Sequence, residues 1–242
     1  MSKNYILLFL LFSFLGGSAL SGQAGYHFGT KGGLSIGNQN WNGGDRSPLF
    51  SYHINGFIES RDPDLRGSLY AQFGLHTRGS SLGFSGLNFS SNSRNSYRFR
   101  NLSLMVGFKK VLDKEILNAN PYYFMGIRGE YTISNNVAEV QRFFLQVLNS
   151  TGTTTNTVPQ FVSAEPAFVN QWVYGISIGG GFHFYGSELF NTALEFTLSP
   201  DLNFQYNRLP GQINGLDALQ IRNVTFEVSL IFRFLREIIY ED

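Results

Sequence analysis

A chain of 242 residues in which 16% of side chains are aromatic and only 14% charged departs from soluble domains, where about 25% are charged. It contains no cysteine, which excludes a disulfide framework, a thiolate metal site and a lipid-anchored N-terminal cysteine. With Lys3 set aside in a leader segment, basic and acidic residues balance at 17 each. A neutral chain lacks the electrostatic footprint of a nucleic-acid partner, and none is expected.

In chain order, the first element is that leader. Lys3, the apolar run Tyr5 to Leu15, and the small residues Gly16, Gly17, Ser18, Ala19 and Ser21 read as a secretory signal peptide. Cleavage is expected between Ser21 and Ala24, so that residues 1–24 are signal and 25–242 form one domain. The apolar run is shorter than the roughly 20 residues of a membrane-spanning helix.

Beyond the leader, large apolar and small or polar residues alternate in eight segments: Tyr26 to Asn38, Phe50 to Ser60, Leu69 to Arg78, Phe99 to Val111, Tyr122 to Ile133, Trp172 to Phe184, Thr192 to Ser199 and Asn223 to Phe234. A period of two predicts β-strands. In the last, Val224, Phe226, Val228, Leu230, Phe232 and Phe234 alternate with Asn223, Thr225, Glu227, Ser229 and Arg233, and Ile231 is the one exception. Connections opening at Gln39, Gly79, Ser134 and Pro200 are long and polar, whereas those opening at Arg61, Leu112 and Tyr185 are short. Such alternation predicts short periplasmic turns, long extracellular loops and both termini in the periplasm. Pro63, Asp62, Asp64 and Gly67 suit the turn after the second strand, and turn chemistry accounts for its two aspartates.

Alternation alone does not say which face meets lipid, but side-chain volume does. In the first strand Tyr26, Phe28, Leu34 and Ile36 oppose His27, Gly29, Lys31, Gly33, Ser35 and Gly37; in the sixth, Trp172, Tyr174, Ile176, Ile178, Phe182 and Phe184 oppose Val173, Gly175, Ser177, Gly179, Gly181 and His183. The interior of an eight-stranded barrel is only just wide enough to be filled by side chains. It has no room for the aromatic face of every strand, so the small and charged face must point inward. The expected fold is an all-β, up-and-down, eight-stranded antiparallel barrel of an outer membrane.

The inward face then carries Lys31, Glu59, Arg78, Lys109, Arg128, Glu130, Glu195, Glu227 and Arg233, with His27, His53, His76 and His183. Mixed signs predict a salt-bridged plug rather than an ion relay or an open channel, since buried charges must be paired. Lys31 and Glu227, at mid-depth on the first and last strands, are expected to approach one another. No two histidines lie two apart on one strand, so no metal and no cofactor are expected. His76, Arg78 and Ser80 near one rim raise a lipid-modifying Ser-His enzyme, but no defining motif accompanies them and catalysis is not expected. Gly181 to Ser187 has the glycine spacing of a phosphate loop without its lysine. Gly175, Gly179, Gly180 and Gly181 read as thin spots that admit strand bends or large lumen side chains.

Arg98 and Arg100 share the outward parity of Leu102 and Leu104 above the apolar band, where arginine can grip lipid phosphate in a bidentate fork. Outer-membrane lipid and lipopolysaccharide are the expected partners there, with a solvated loop base as the equal alternative. The loop from Ser134 to Asn170 places Val137, Val140, Phe143, Phe144, Val147 and Leu148 at helical spacing behind Asn135 and Asn136. An exposed apolar stripe makes Val140, Phe143, Phe144 and Val147 a candidate binding loop, for an envelope protein partner, the membrane surface or the barrel mouth itself. Thr151 to Thr157 is low-complexity.

Four segments, Phe28-Gly-Thr-Lys-Gly-Gly-Leu-Ser-Ile36, Pro121-Tyr-Tyr-Phe-Met-Gly-Ile-Arg-Gly-Glu-Tyr131, Tyr174-Gly-Ile-Ser-Ile-Gly-Gly-Gly-Phe182 and Ser229-Leu-Ile-Phe-Arg-Phe234, resemble the PorT-like outer-membrane β-barrel proteins, a family of the small porin-like superfamily. The resemblance covers most of the chain after residue 24 and lies in motifs of fold, none of them catalytic. It implies a Gram-negative cell envelope and a non-enzymatic barrel for envelope structure or surface binding. A role as accessory subunit of a secretion or gliding apparatus is the alternative it implies.

Overall fold

The computed structural model describes residues 25–40, 45–61, 67–83, 95–113, 115–116, 118–142, 164–185, 190–212 and 218–237. The signal segment, the turn aspartates Asp62 and Asp64, and Phe143, Phe144, Val147, Leu148 and Thr151 to Thr157 lie outside them. All eight expected strands are present: β1 Gly25–Asn40, β2 Asp45–Arg61, β3 Gly67–Gly83, β4 Asn95–Val111, β5 Ala119–Asn135, β6 Trp172–Tyr185, β7 Phe190–Pro200 and β9 Leu219–Glu237. Each pairs antiparallel with its neighbour, β7 with β9, and β1 with β9 to close the ring. A short strand absent from the sequence reading, β8 Tyr206–Arg208, adds to the far end of β9.

Exposure follows the alternation. Along β9, Asn223, Thr225, Glu227, Ser229, Ile231 and Arg233 are buried while Val224, Phe226, Leu230, Phe232 and Phe234 are exposed. Phe50 is 70% and Tyr52 76% exposed, yet Arg78 is 0%. An apolar wall around a charged interior is the reverse of a soluble fold, and so large an apolar surface is stable only in lipid. The closed ring of β1 to β7 and β9 gives each of these eight strands a partner on both sides, as a membrane requires. The chain is a transmembrane β-barrel.

Band height is legible on β4. Outward Phe108, Val106 and Leu104 are exposed between outward Lys110 and Arg100, and the nine residues 101–109 match the roughly 9–11 that a tilted strand uses to cross.

Several strands run further than expected at the end opposite the termini. β2, β3 and β4 have 17 residues each, and the long loop expected to open at Gln39 is only residues 41–44 between β1 and β2. Polar Asn, Ser and Gly residues extend the ladder there because each strand offers its neighbour a ready row of backbone partners. The other end is tight: Leu112 and Ile116 are tied back to Pro121 and Ala119, with Asn118 in the left-handed conformation that asparagine tolerates.

Two irregularities interrupt the wall. Register shifts between Pro48 and His53 on β2–β3, where Ser51 Oγ donates to the Thr77 carbonyl at 2.8 Å. It shifts again at Arg100/Asn101 on β4–β5, where Ser134 and Thr132 are the partners and Ile133 is the extra residue.

Candidate functional site

The lumen is filled in layers. Nearest the termini, Glu59 accepts Lys109 Nζ at 3.1 Å, Arg233 Nη2 at 3.0 Å and Ser68 Oγ at 2.8 Å. Arg233 Nη2 also lies 2.9 Å from His27 Nδ1, and Lys109 Nζ sits 4.1 Å from the centre of the Tyr122 ring. Cations are held here by a carboxylate and by ring faces together, which suits a site shielded from water. His183 is stacked on Tyr122 at 4.3 Å.

The next layer mixes charge with apolar packing. Lys31 Nζ donates to Glu195 Oε1 at 2.6 Å, and Tyr122 Oη donates to Glu195 Oε2 at 2.9 Å. Around them Phe57, Tyr70, Met105, Tyr122, Phe124, Ala193 and Ile231 form one buried cluster, so Ile231, the exception on its strand, is an inward packing residue. Glycines on the neighbouring strand β6 leave the needed room: a Cβ on Gly179 would meet the Phe124 ring and one on Gly181 the Tyr122 ring. Gly175 likewise makes way for the Arg128 guanidinium, whereas Gly180 faces the Tyr122 backbone.

The expected pair of Lys31 with Glu227 does not form. Lys31 stands opposite Ile231 and Glu227 opposite Ser35, a stagger of four residues, about 13 Å along a strand. Closing a tilted sheet requires such a stagger, and matching the midpoints of two strands ignores it. Glu227 instead accepts His76 Nδ1 at 2.9 Å. His76 Nε2 lies 2.8 Å from Asn55 Oδ1, and His76 is stacked on His53 at 5.4 Å.

His53 bridges two hydroxyls, Ser35 Oγ and Ser229 Oγ, each at 2.9 Å. These are Ser-His contacts, but all three residues are buried inside the barrel. At the rim, Ser80 Oγ donates to Gln39 Oε1 at 2.9 Å, and His76 is engaged by Asn55 and Glu227. The rim trio of His76, Arg78 and Ser80 therefore makes no Ser-His contact. Among the described residues no group of three or more His, Asp or Glu is placed to hold a metal ion.

Higher still lies the strongest ionic knot. Arg78 Nε donates to both oxygens of Glu130 at 2.9 and 2.8 Å, Arg78 Nη2 to Oε1 at 2.7 Å, and Arg78 Nη1 to Thr225 Oγ1 at 2.5 Å. Arg128 Nε approaches Glu130 Oε1 at 3.1 Å, and Asn101 Nδ2 donates to Oε2 at 2.7 Å. The second arginine is shared with Asp201, which also accepts Asn223 Nδ2 at 2.7 Å. Asp201 was not among the sequence candidates because it follows the predicted end of β7. Carrying the inward parity of Glu195, Thr197 and Ser199 two residues further would have found it. Gln205, fully buried and donating to Thr132 Oγ1 at 2.9 Å, lies in irregular chain where no period signals it.

Above this knot the barrel is capped by apolar packing. Tyr97, Phe99, Val137, Val140, Ala164, Tyr206, Leu219 and Ile221 form a second buried cluster, with Phe168 and Val169 against it. Residues 137–142 are helical, α1, behind Asn135 and Asn136. Asn135 Oδ1 accepts the Val137 N–H at 3.2 Å, and Asn136 Oδ1 accepts the Arg98 N–H at 2.7 Å. Val140, expected as part of an exposed binding stripe, is 3% exposed. Of the three fates open to that stripe, its first turn folds into the barrel mouth, where ten apolar residues of loop and wall cover one another.

Arg98 and Arg100 both face outward and are exposed. Arg98 Nε donates to Ser96 Oγ at 3.0 Å, whereas Arg100 makes no side-chain hydrogen bond or ion pair among the described residues.

The chain matches no protein-family model and no curated protein. Among solved structures it is similar to the outer membrane protein OprG from Pseudomonas aeruginosa, with 11% identity, a TM-score of 0.44, and coverage of 88% of this chain and 97% of that one. It is also similar to outer membrane protein W of E. coli, with 10% identity, a TM-score of 0.42 and coverage of 88% and 99%. A third similar structure is the outer membrane protease OmpT from Escherichia coli, with 8% identity, a TM-score of 0.36 and coverage of 88% and 97%. Likeness at this level transfers no activity, ligand or partner.

Proposed function

We propose that this chain is a non-enzymatic outer-membrane barrel that serves envelope structure or surface binding from the end bearing its long loops. The observation that carries the reading is the filling of the lumen. Lys31, Arg78, Lys109, Arg128 and Arg233 are set against Glu59, Glu130, Glu195 and Asp201, and Glu227 against His76, and the apolar cap lies above them. Among the described residues this packing supports a lumen with no water-filled path for solutes, and the Ser-His contacts of His53 with Ser35 and Ser229 lie buried within it. Export by the leader segment and a periplasmic position for the termini accompany the proposal.

Purified barrel in a planar bilayer should show no large, steady conductance, and cell fractionation should place the protein with outer-membrane markers. A robust open channel would overturn the sealed-lumen reading. Recovery in the soluble fraction without detergent would overturn the membrane assignment itself.

The PorT-like resemblance of the segments ending at Tyr131 and Phe182 supports a second reading, an accessory subunit of a secretion or gliding-motility apparatus. Crosslinking in native membranes separates the two. Reproducible capture of the same envelope proteins favours the subunit, and a barrel captured with lipid alone favours the first.

A further inference from the structure

The two interruptions of the barrel wall lie at the same height, on either side of β3 and β4, and the outer surface between them is dented. Leu75 and Thr77 of β3 are paired with Leu102 and Arg100 of β4. The β2 shift opens the wall on one side of them and the extra residue Ile133 on the other. A bulge bends its strand and re-aims side chains. Here the result is a cavity of about 380 Å³ lined by the outward-facing Tyr52, Ile54, Leu75, Thr77, Arg100 and Ile133 together with the inward-facing His53 and His76. That volume is within the range of small-molecule sites, but this one opens on the wall that faces lipid. Its outward wall is mostly apolar, with the hydroxyls of Tyr52 and Thr77, the two histidines are buried, and Arg100 is its exposed cation.

Arg100 also marks one edge of the apolar band on β4. Nine residues separate it from Lys110 at the other edge, so its guanidinium lies in the headgroup layer of the leaflet on the loop side. An arginine there with no hydrogen-bonding or ionic partner among the described residues, above an apolar groove that descends into the hydrocarbon, is complementary to an anionic headgroup with an acyl chain beneath it. Arg98, one step above on the same face, is held by Ser96 and lies outside the groove.

We propose that this groove is a lipid site that takes an acyl chain of the phosphorylated glycolipid of the outer leaflet, lipopolysaccharide, with Arg100 gripping a lipid A phosphate. The assignment rests on the outer-membrane orientation proposed above. It goes beyond that reading in placing a specific ligand on the wall rather than on the loops.

The test uses the full barrel in vesicles of phosphatidylcholine, phosphatidylglycerol and diphosphoryl lipid A in equal amounts, with bound lipid counted by native mass spectrometry. Heat-modifiable migration first establishes folding of each variant, and protease access to the loops its orientation. The wild-type barrel should retain lipid A in preference to both phospholipids. Arg100→Gln should lose about tenfold of that retention, the worth of a charge-assisted contact, and Thr77→Trp, which fills the groove, should lose it with the arginine still present. Arg98→Gln should retain it. Should Thr77→Trp fail to fold, Ile133→Trp takes its place. Retention unaffected by Arg100→Gln, or a preference for either phospholipid, would overturn the site while leaving the sealed outer-membrane barrel standing. Failure of the wild-type chain to insert would instead overturn the barrel reading.

Discussion

The upper lumen around Glu130 and the mouth above it lie inside one ring of strands, yet they are filled by opposite chemistries. Around Glu130 the space is closed by Arg78 and Asn101, which donate to it, by Arg128 in ionic contact, and by Thr225, which accepts from Arg78. Around Phe99 it is closed by Tyr97, Val137, Val140, Tyr206, Leu219 and Ile221. Where the outer face must be apolar for lipid, polar inward residues give each strand two distinct faces and penalise a one-residue slip. Beyond the band the strands rise out of the hydrocarbon, and ordinary burial of apolar surface is free to build a core. Buried ion pairs are costly to break but add little over a packed apolar equivalent, whereas an apolar cluster stabilises in proportion to the area it buries. The two regions should therefore fail differently.

The largest effect is expected in the ionic knot. Glu130→Leu leaves two buried arginines competing for Asp201 and should cost about 3–5 kcal/mol. It is measured as a lowered urea midpoint for loss of the heat-modifiable form, and Glu130→Gln, which keeps the acceptor oxygen for Arg78, should cost less. Equal stability of Glu130→Leu and wild type would mean that the knot is solvated and the lumen open.

In the mouth, Phe99→Ala should cost about 3 kcal/mol, but locally. The heat-modifiable barrel should persist while added protease cuts between residues 143 and 163 faster. Loss of the whole barrel would show that cap and wall fold as one unit, and the contrast between the regions would fall.

The smallest effect sharpens the pairing within the lumen. Lys31→Met and Glu195→Leu should each destabilise, and the double variant should lose less than their sum by about 1–3 kcal/mol. Exchanging Lys31 and Glu227 by Lys31→Glu with Glu227→Lys should show less compensation than that. A larger coupling to Glu227 than to Glu195 would contradict the observed stagger.

Strand number, the inward face and the burial of Lys31, Glu59, Arg78, Lys109, Arg128, Glu130, Glu195, Glu227 and Arg233 were all legible, because a strand repeats every two residues and parity is a local property. The inward aromatics Phe57, Tyr70 and Phe124 share the parity of Glu59, Gln72 and Arg128, and were open to the same reading. Partnership was not. Lys31 meets Glu195 across 164 residues and Arg233 meets His27 across 206, and these contacts depend on the stagger at closure and on the diameter of the ring. Neither is written in the period of any single strand.

The apolar stripe beginning at Val137 shows the same division. Its helical spacing and the asparagines before it are local, so the sequence alone determined that α1 forms. Whether Val140 faces a partner, the membrane or the barrel was a question of what lies nearby. The answer came from Phe99, Tyr206 and Ile221, brought over it by strands that extend beyond the apolar band. The groove at Arg100 is the extreme case. Outward parity was visible from the sequence, but the dent beside it exists because two bulges on different strand pairs fall at one height, and only the closed sheet sets that height.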